Sequence, residues 1–527
     1  MHNRRTFMKT LSATGAALYA SDLVGELVAQ SPRARVMESR FKGLSDVALG
    51  EAKRLGCSYC DIRFTRNVTD SVAVRDRVVV DSFGFGGAGR EESAGFGVRV
   101  IHSGVWGFAS SPLVTEDEIR KVAARATDVA KASAMAKRFD VRLAPVEAYQ
   151  DYWATPVKTV ADSVSLDDKI AFLLQINELG LKQPDVIRIQ SQMAFDFEWK
   201  YLATSEGSYI EQEIHRASPG FSVTARRNGK VKQRTFSVAP KSAGYEVILD
   251  AKMLENVERI CAEAAEHCTA PPVQVGLKDL IISPSHAMLT IHEIVAHPTE
   301  LDRVVGYEAN YAGTSFISLP DVGRLTVGSK LFNITADRTL PGGMCTVGYD
   351  DDGVKSQQWP LVREGRLVDL QTNRETAHYL KQDFSRGCTF ATSWRNFPFL
   401  RMPNVHLDAG PPGSPTPEQI IADTKDGVLI DGRGSYSIDQ QRYNGQFGGD
   451  AFWEIKDGKK TRMVSDVTYN AITTDFWNNL DAISGLESWA MFGTTGDAKG
   501  QPVQINHPSH GSPWFRIRRV MVGAAYS

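Results

Sequence analysis

Two histidines five residues apart, in His292-Glu293-Ile-Val-Ala-His297, constrain this chain more tightly than any other feature of its sequence. They follow Leu280-Ile-Ile282, which reads as an apolar strand, and Ser283-Pro284, which reads as a helix start because proline fits a first turn. On an ideal helix, positions five apart lie about 140° from each other around the axis, whereas positions four apart are separated by about 40°. A regular helix therefore cannot turn both rings toward one point. For the two imidazoles to act together, the helix must widen between them in the π manner, a distortion frequent at functional sites. Pro298, directly after the second histidine, has no N–H with which to continue a regular helix and loosens it there. Two neutral imidazoles can hold a divalent ion, and a carboxylate adjoining the first can take a proton from water beside that ion. Those are the parts a zinc-type hydrolase requires, with His292 and His297 as ligands and Glu293 as general base.

The rest of the chain has an ordinary globular balance: 527 residues, 42% hydrophobic and 23% charged, with a formal net charge of -2. That length calls for two or more domains, and the near-neutral charge offers no field to recruit nucleic acid or an anionic membrane. No segment approaches 18 uninterrupted apolar residues, so no transmembrane span is expected. The class expected is α+β. An N-terminal α/β domain over 40–270 opens with a helix around Leu44–Leu55 and a strand at Cys60–Phe64. It continues with a hairpin over 94–110, capped helices after Thr115 and Ser165, strands from 186 to 247, and a helix over 247–268. Pro271-Pro272 marks the boundary. The second domain, 271–527, carries the metal-motif helix near its start, followed by short strands broken by Gly, Asp and Pro turns, and should be mostly antiparallel sheet.

Residues 1–30 carry Arg4-Arg5, Phe7 and Lys9 before a weakly apolar stretch, the pattern of a twin-arginine signal segment. Export by that route implies a periplasmic or extracytoplasmic protein. Ala20 and Ala29 are both candidate cleavage positions. The six cysteines (Cys57, Cys60, Cys261, Cys268, Cys345, Cys388) are read as structural thiols or, in Cys57-Ser-Tyr-Cys60, a local disulfide, because no second CxxC completes a four-thiolate site.

The metal motif with Glu300-Leu-Asp302, Gly313-Thr-Ser-Phe316, Arg401-Met-Pro-Asn404 and Gly448-Gly-Asp-Ala-Phe-Trp-Glu454 resembles the TldD/PmbA metallopeptidases. Gly56-Cys-Ser-Tyr-Cys-Asp-Ile-Arg63, Gly95-Phe-Gly-Val-Arg-Val100 and Trp106-Gly-Phe-Ala-Ser110 are similar to the family's opening segments, so the resemblance runs over about 40–527. It implies a two-domain peptidase acting on extended or unfolded peptides, here an exported form of the catalytic TldD-like subunit. The chain would then work as a homodimer or as a heterodimer with a motif-lacking family member. The family's third ligand is a cysteine in a C-terminal Cys-Gly-Lys-Gly-Gln-like segment. Here the matching stretch is Gly496-Asp497-Ala-Lys499-Gly500-Gln501-Pro502, which places Asp497 at that position, with His507 and His510 as alternatives. Two histidines and a carboxylate suit one divalent metal, zinc first, while oxygen ligation improves the prospects of manganese or iron. The other reading is a non-catalytic peptide-binding or partner subunit with a decayed metal site, supported by the lost cysteine. The remaining histidines are read as structural or surface, His286 being at most a residue behind the ligands.

Overall fold

The alternation that begins at Cys60 extends into a 17-residue strand, Tyr59–Arg75, in which Val68, Val72 and Val74 fall on the same alternate positions as Ile62 and Phe64. The computed structural model describes residues 31–80 and 89–523; the twin-arginine expectation, on residues 1–30, lies outside the described residues. Helix α1 (Arg40–Arg54) precedes this strand, β1 (Tyr59–Arg75). β1 pairs antiparallel with the hairpin partner Gly89–His102 on one side and with β2 (Val186–Thr204) on the other; β2 pairs in turn with β3 (Tyr209–Arg227). These are the long members of an eight-stranded sheet that runs from Val105–Ser111 at one edge to Gln150–Ala154 at the other. The hairpin turns at Ser103-Gly104, as expected from the sequence, and Thr115 caps the helix Glu116–Ala134 by accepting from the Glu118 N–H.

The two faces of this sheet differ. On one, Ile62, Phe64, Val98 and Val100 pack beneath α1 and Glu116–Ala134, while Ile189, Met193 and Val223 pack beneath Leu166–Leu181 and α2 (Met253–His267). The intervening residues Asp61, Arg63, Arg99, Glu198, Lys200 and Arg216 are charged and yet buried, because the opposite face is covered by the second half of the chain. Arg99 bridges Asp61 (2.9 Å) and Asp352 (2.5 Å), and Lys200 bridges Glu198 and Asp351, both at 2.9 Å. Arg63 donates to the carbonyls of Ser393 and Asn396. The layers are thus joined by paired charges rather than by a continuous apolar core.

The second sheet has nine strands and is antiparallel apart from one pair. Its centre is β4 (Gly276–Ile282), parallel to β5 (Asp426–Asp431) and antiparallel to the terminal strand Phe515–Val522. The alternation in β4 directs Leu280 and Ile282 into the main core and Ile281 into a smaller one with Leu429, Trp453 and Ile455. Helix α3 (Pro284–Ile291) leaves β4 through Ser283 with proline in its first turn and is buried along its length. The α+β expectation, with the motif helix near the start of a β-rich second region, is borne out. All six cysteines are free thiols, so Cys57 and Cys60 form no bond; the Cys60 side chain instead packs in the core under α1. Among the described residues no helix is long and apolar enough to cross a membrane.

Candidate metal centre

α3 does not continue as an α-helix. Over His292–Ala296 it becomes a π turn, in which the His297 N–H donates to the His292 carbonyl five residues back, and His297–Thr299 then tightens into a 3₁₀ turn with Pro298 near its start. The extra residue in the turn brings His292 and His297 onto one side, their ring centroids 4.5 Å apart. Carbonyls freed by the irregular turns find partners: Thr299 Oγ1 donates to Val295 and Ala296, and Gln371 Nε2 donates to Ala296 at 2.6 Å.

Asp497, on a short strand of the C-terminal segment, meets them from some 200 positions away. For labels, β6 is Ala490–Gly493, β7 is Asp497–Lys499, β8 is Gln504–Asn506 and β9 is Ser509–Ser512; β7 pairs with β8 and β6 with β9. Asp497 Oδ1 lies 3.8 Å from His292 Nε2 and 3.7 Å from His297 Nε2. Among the described residues this is the one group of three metal-competent side chains whose donor atoms all lie within 4.8 Å of one another, and all three are buried. The separations exceed hydrogen bonds.

The partners of these groups fix their protonation. Asp497 Oδ2 accepts from Arg401 at 2.9 Å, and Arg401 also donates to the Asp497 carbonyl. Burial opposes the Asp497 charge, but the Arg401 guanidinium outweighs it and holds the carboxyl well below its ordinary range. His297 Nδ1 lies 2.8 Å from Glu300 Oε2. Glu300, despite its burial, is held well below its ordinary range by Lys499 and Arg303, with Lys499 at 2.8 Å and Arg303 at 2.5 Å. An ionised carboxylate only accepts, so Nδ1 of His297 carries the proton and Nε2 presents a lone pair. The Arg303 nitrogen 3.1 Å from that same Nδ1 is then a neighbour sharing the carboxylate, not a donor to the ring. Burial, with Arg303 beside it, keeps His297 neutral by lowering its pKa.

His292 is oriented by a different chain of bonds. His510, on β9, lies 2.9 Å through Nδ1 from the Val405 carbonyl, which can only accept, so His510 carries its proton there. Its Nε2 is left as the acceptor for His292 Nδ1–H at 2.9 Å, and His292 Nε2 is freed toward Asp497. Burial pushes His510 down to about 3, so that ring is neutral and its Nε2 stays an acceptor. Both Nε2 atoms thus point lone pairs, with no proton, toward a carboxylate oxygen. Three buried donors so arranged repel one another unless a cation joins them, and two imidazole nitrogens with one carboxylate oxygen are a donor set suited to zinc, manganese or iron.

Glu293 is buried on the same turn. Burial raises its pKa, and its Oε2 has no hydrogen-bond partner among the described residues. The sequence candidates therefore separate. His292, His297 and Asp497 come together with Glu293 beside them, and His510 stands directly behind His292. His507 instead faces the first sheet, near Arg216, Glu198 and Asp196. His286 is a satisfied core residue bonded to the Gly432 carbonyl and the Tyr469 hydroxyl. The sequence assigned no role to Arg401, Glu300 or Lys499, and it offered His510 as an alternative third ligand, whereas that ring stands behind His292. The first three stand inside the quoted segments Arg401–Asn404, Glu300–Asp302 and Gly496–Pro502, which was the available signal.

Three family models match the chain in order: PmbA/TldA metallopeptidase domain 1 over residues 60–130, the central domain over 160–267 and the C-terminal domain over 276–524. Metalloprotease MJ0996 of Methanocaldococcus jannaschii is 25% identical over 431 residues, 81% of this chain and 89% of that protein. A zinc metalloprotease TldD homolog of Saccharolobus solfataricus is 22% identical over 480 residues, 90% of this chain and 98% of that one. The crystal structure of TldE from Thermococcus kodakarensis shares the fold with a TM-score of 0.70 at 14% identity, covering 92% of this chain and 100% of that one.

Proposed function

The chain belongs to the PmbA/TldA metallopeptidase family, and from that premise we propose that it is a metal-dependent peptidase hydrolysing extended or unfolded peptides, with Glu293 as general base. The observation that carries this reading is the convergence of two imidazoles, each with its proton fixed on the far nitrogen, and one ionised carboxylate, beside a second carboxylate whose Oε2 has no hydrogen-bond partner among the described residues. His292 Nε2, His297 Nε2 and Asp497 Oδ1 would hold the ion. Such an ion, when bound, supplies a Lewis acid for the scissile carbonyl and lowers the pKa of water. Glu293 takes one proton from the attacking water as its oxygen bonds to the carbonyl carbon and the C=O electron pair moves onto oxygen. The C–N bond then breaks as that pair returns, and Glu293 passes its proton to the departing nitrogen. One water is consumed, and the products are a new carboxyl and a new amine. Glu293 beside the first ligand favours hydrolysis over the oxygen chemistry that two histidines and a carboxylate can also support with iron.

Zinc is the first metal in this reading, with manganese or iron next because the third ligand is an oxygen. The twin-arginine pattern supports export to the periplasm, and replacing Arg4-Arg5 by Lys-Lys should then leave metal-loaded protein in the cytoplasm. Family resemblance supports a two-chain assembly. The test of function is to strip purified protein with a chelator and reload it with zinc, manganese or ferrous iron, following cleavage of fluorescein-labelled unfolded casein. Cleavage lost on chelation and restored by about one equivalent of metal is the expected result. Substoichiometric metal in the starting protein, with no chelator-sensitive cleavage, would favour the partner-subunit reading instead.

A further inference from the structure

The hairpin between Tyr436–Ile438 and Asn444–Gly448 reaches over the motif turn. Its tip docks on Gly313–Phe316: Thr314 N–H donates to the Gln440 carbonyl at 2.8 Å and Phe316 N–H to Gln441 at 2.9 Å. Gly313 has a φ of +89°, and a Cβ there would sit 2.4 Å from the Gln440 oxygen, so only glycine admits the hairpin this closely. Inside the tip, Asp439 accepts from the N–H groups of Tyr443 and Asn444, and Arg442 takes a left-handed backbone with φ +62°. That conformation favours glycine, so an arginine there is a signal to look for what its side chain does.

Two arms of the Arg442 guanidinium are tied to backbone carbonyls, to Asp439 at 3.4 Å and to Ala312 at 3.3 Å. Nε is buried and has no hydrogen-bond partner among the described residues. It stands 3.9 Å from Glu293 Oε2, the other orphan of the site. Other guanidinium–carboxylate pairs around this centre close fully, Arg303–Glu300 at 2.5 Å and Arg401–Asp497 at 2.9 Å. Arg442 and Glu293 do not close, although both are buried and oppositely charged. The free Nε–H is thus a buried donor beside the base, and a buried donor calls for an acceptor, which an oxygen of a bound molecule can supply.

We propose that Arg442 is a catalytic residue whose Nε–H donates to the scissile carbonyl oxygen of the peptide and stabilises it as negative charge develops there. This rests on the hydrolytic reading of the same site. As water bonds to the carbonyl carbon and Glu293 takes its proton, the electron pair arriving on the carbonyl oxygen lies against a guanidinium that stays charged at every working pH. When the C–N bond breaks, the pair returns and the hydrogen bond relaxes. Nothing is transferred to or from Arg442.

The test is Arg442→Gly, with Arg442→Lys beside it, assayed on fluorescein-labelled unfolded casein together with metal content and melting temperature. Glycine suits the left-handed position, so the variant should fold and melt no lower than the parent, with metal retained. A fall in kcat of about 10²–10³-fold with KM changed little is expected, as for loss of an oxyanion donor, and millimolar methylguanidinium should restore part of it in the glycine variant alone. Lysine, which lacks the fork that ties the side chain to Ala312 and Asp439, should recover little. A kcat within about threefold of the parent, a loss that follows lost metal, or a rise in KM at unchanged kcat would each overturn the proposal. Glu293→Gln run in parallel separates the two readings. If it keeps full turnover, the hydrolytic mechanism fails whatever Arg442 does; if it is inactive while Arg442→Gly is active, only the role of Arg442 fails.

Discussion

At the scale of single residues, the two imidazoles reach the same protonation through different partners: a carboxylate behind His297, and a neutral histidine and carbonyl behind His292. His510→Phe leaves His292 Nδ1–H without an acceptor, and metal affinity measured by competition with a chromogenic chelator should fall about 10–100-fold. His510→Gln, whose amide oxygen can replace the acceptor, should lose less. Asp497→Cys should move preference toward softer metals, read as the ratio of zinc to manganese retained after dialysis against both; an unchanged ratio would count against Asp497 as a ligand. Asp497 was legible because it occupies a position where the resembling family has its ligand. The distinction between His507 and His510 was not, since both sit in one short segment and only the strand decides which ring turns inward. Arg442 left no trace either, because its signal is a backbone angle.

The element that matters most is the turn after α3. Spacing alone required a π widening between His292 and His297, and the structure has it over His292–Ala296. What the spacing could not show is how the irregular backbone is satisfied, since that is done in part by Gln371, 75 positions beyond the Ala296 carbonyl it bonds. Gln371→Ala should destabilise the fold by about 1–3 kcal/mol, the cost of a buried polar group losing a partner, and should weaken metal binding along with it; a urea titration measures the first. On α3 itself, His286 is buried between Gly432 and Tyr469, and burial lowers its pKa to about 4. The unfolded chain takes up a proton near pH 6.5 that the folded chain refuses until about pH 4. The stability due to the neutral ring is therefore complete above pH 6.5 and is lost as pH falls toward 4. Between pH 7 and pH 5 this group should cost about 2 kcal/mol, and His286→Asn, in chelator-treated protein, should show a shallower loss over that interval.

For the whole molecule, the first sheet meets the second half of the chain across buried charges. Arg99→Met would leave Asp61 and Asp352 buried without their partner, at about 3–5 kcal/mol by denaturant titration, whereas Arg90→Ala, which removes an exposed pair with Asp162, should cost under about 1 kcal/mol. This seam explains which part of the fold could be read beforehand. Alternation in Cys60–Phe64 and in the hairpin marks strands whether the charged side faces water or a second layer, so strands and the α+β class were legible while the face buried against residues 350–352 was not. The same seam holds the first sheet against the region that contains the metal centre. The central claim, that this centre hydrolyses peptides with Glu293 as base, is tested most directly by one measurement: turnover of labelled unfolded casein by Glu293→Gln at metal occupancy equal to the parent. The account predicts one metal per chain and a rate lower by about 10²–10⁴-fold; full occupancy with undiminished cleavage would contradict it.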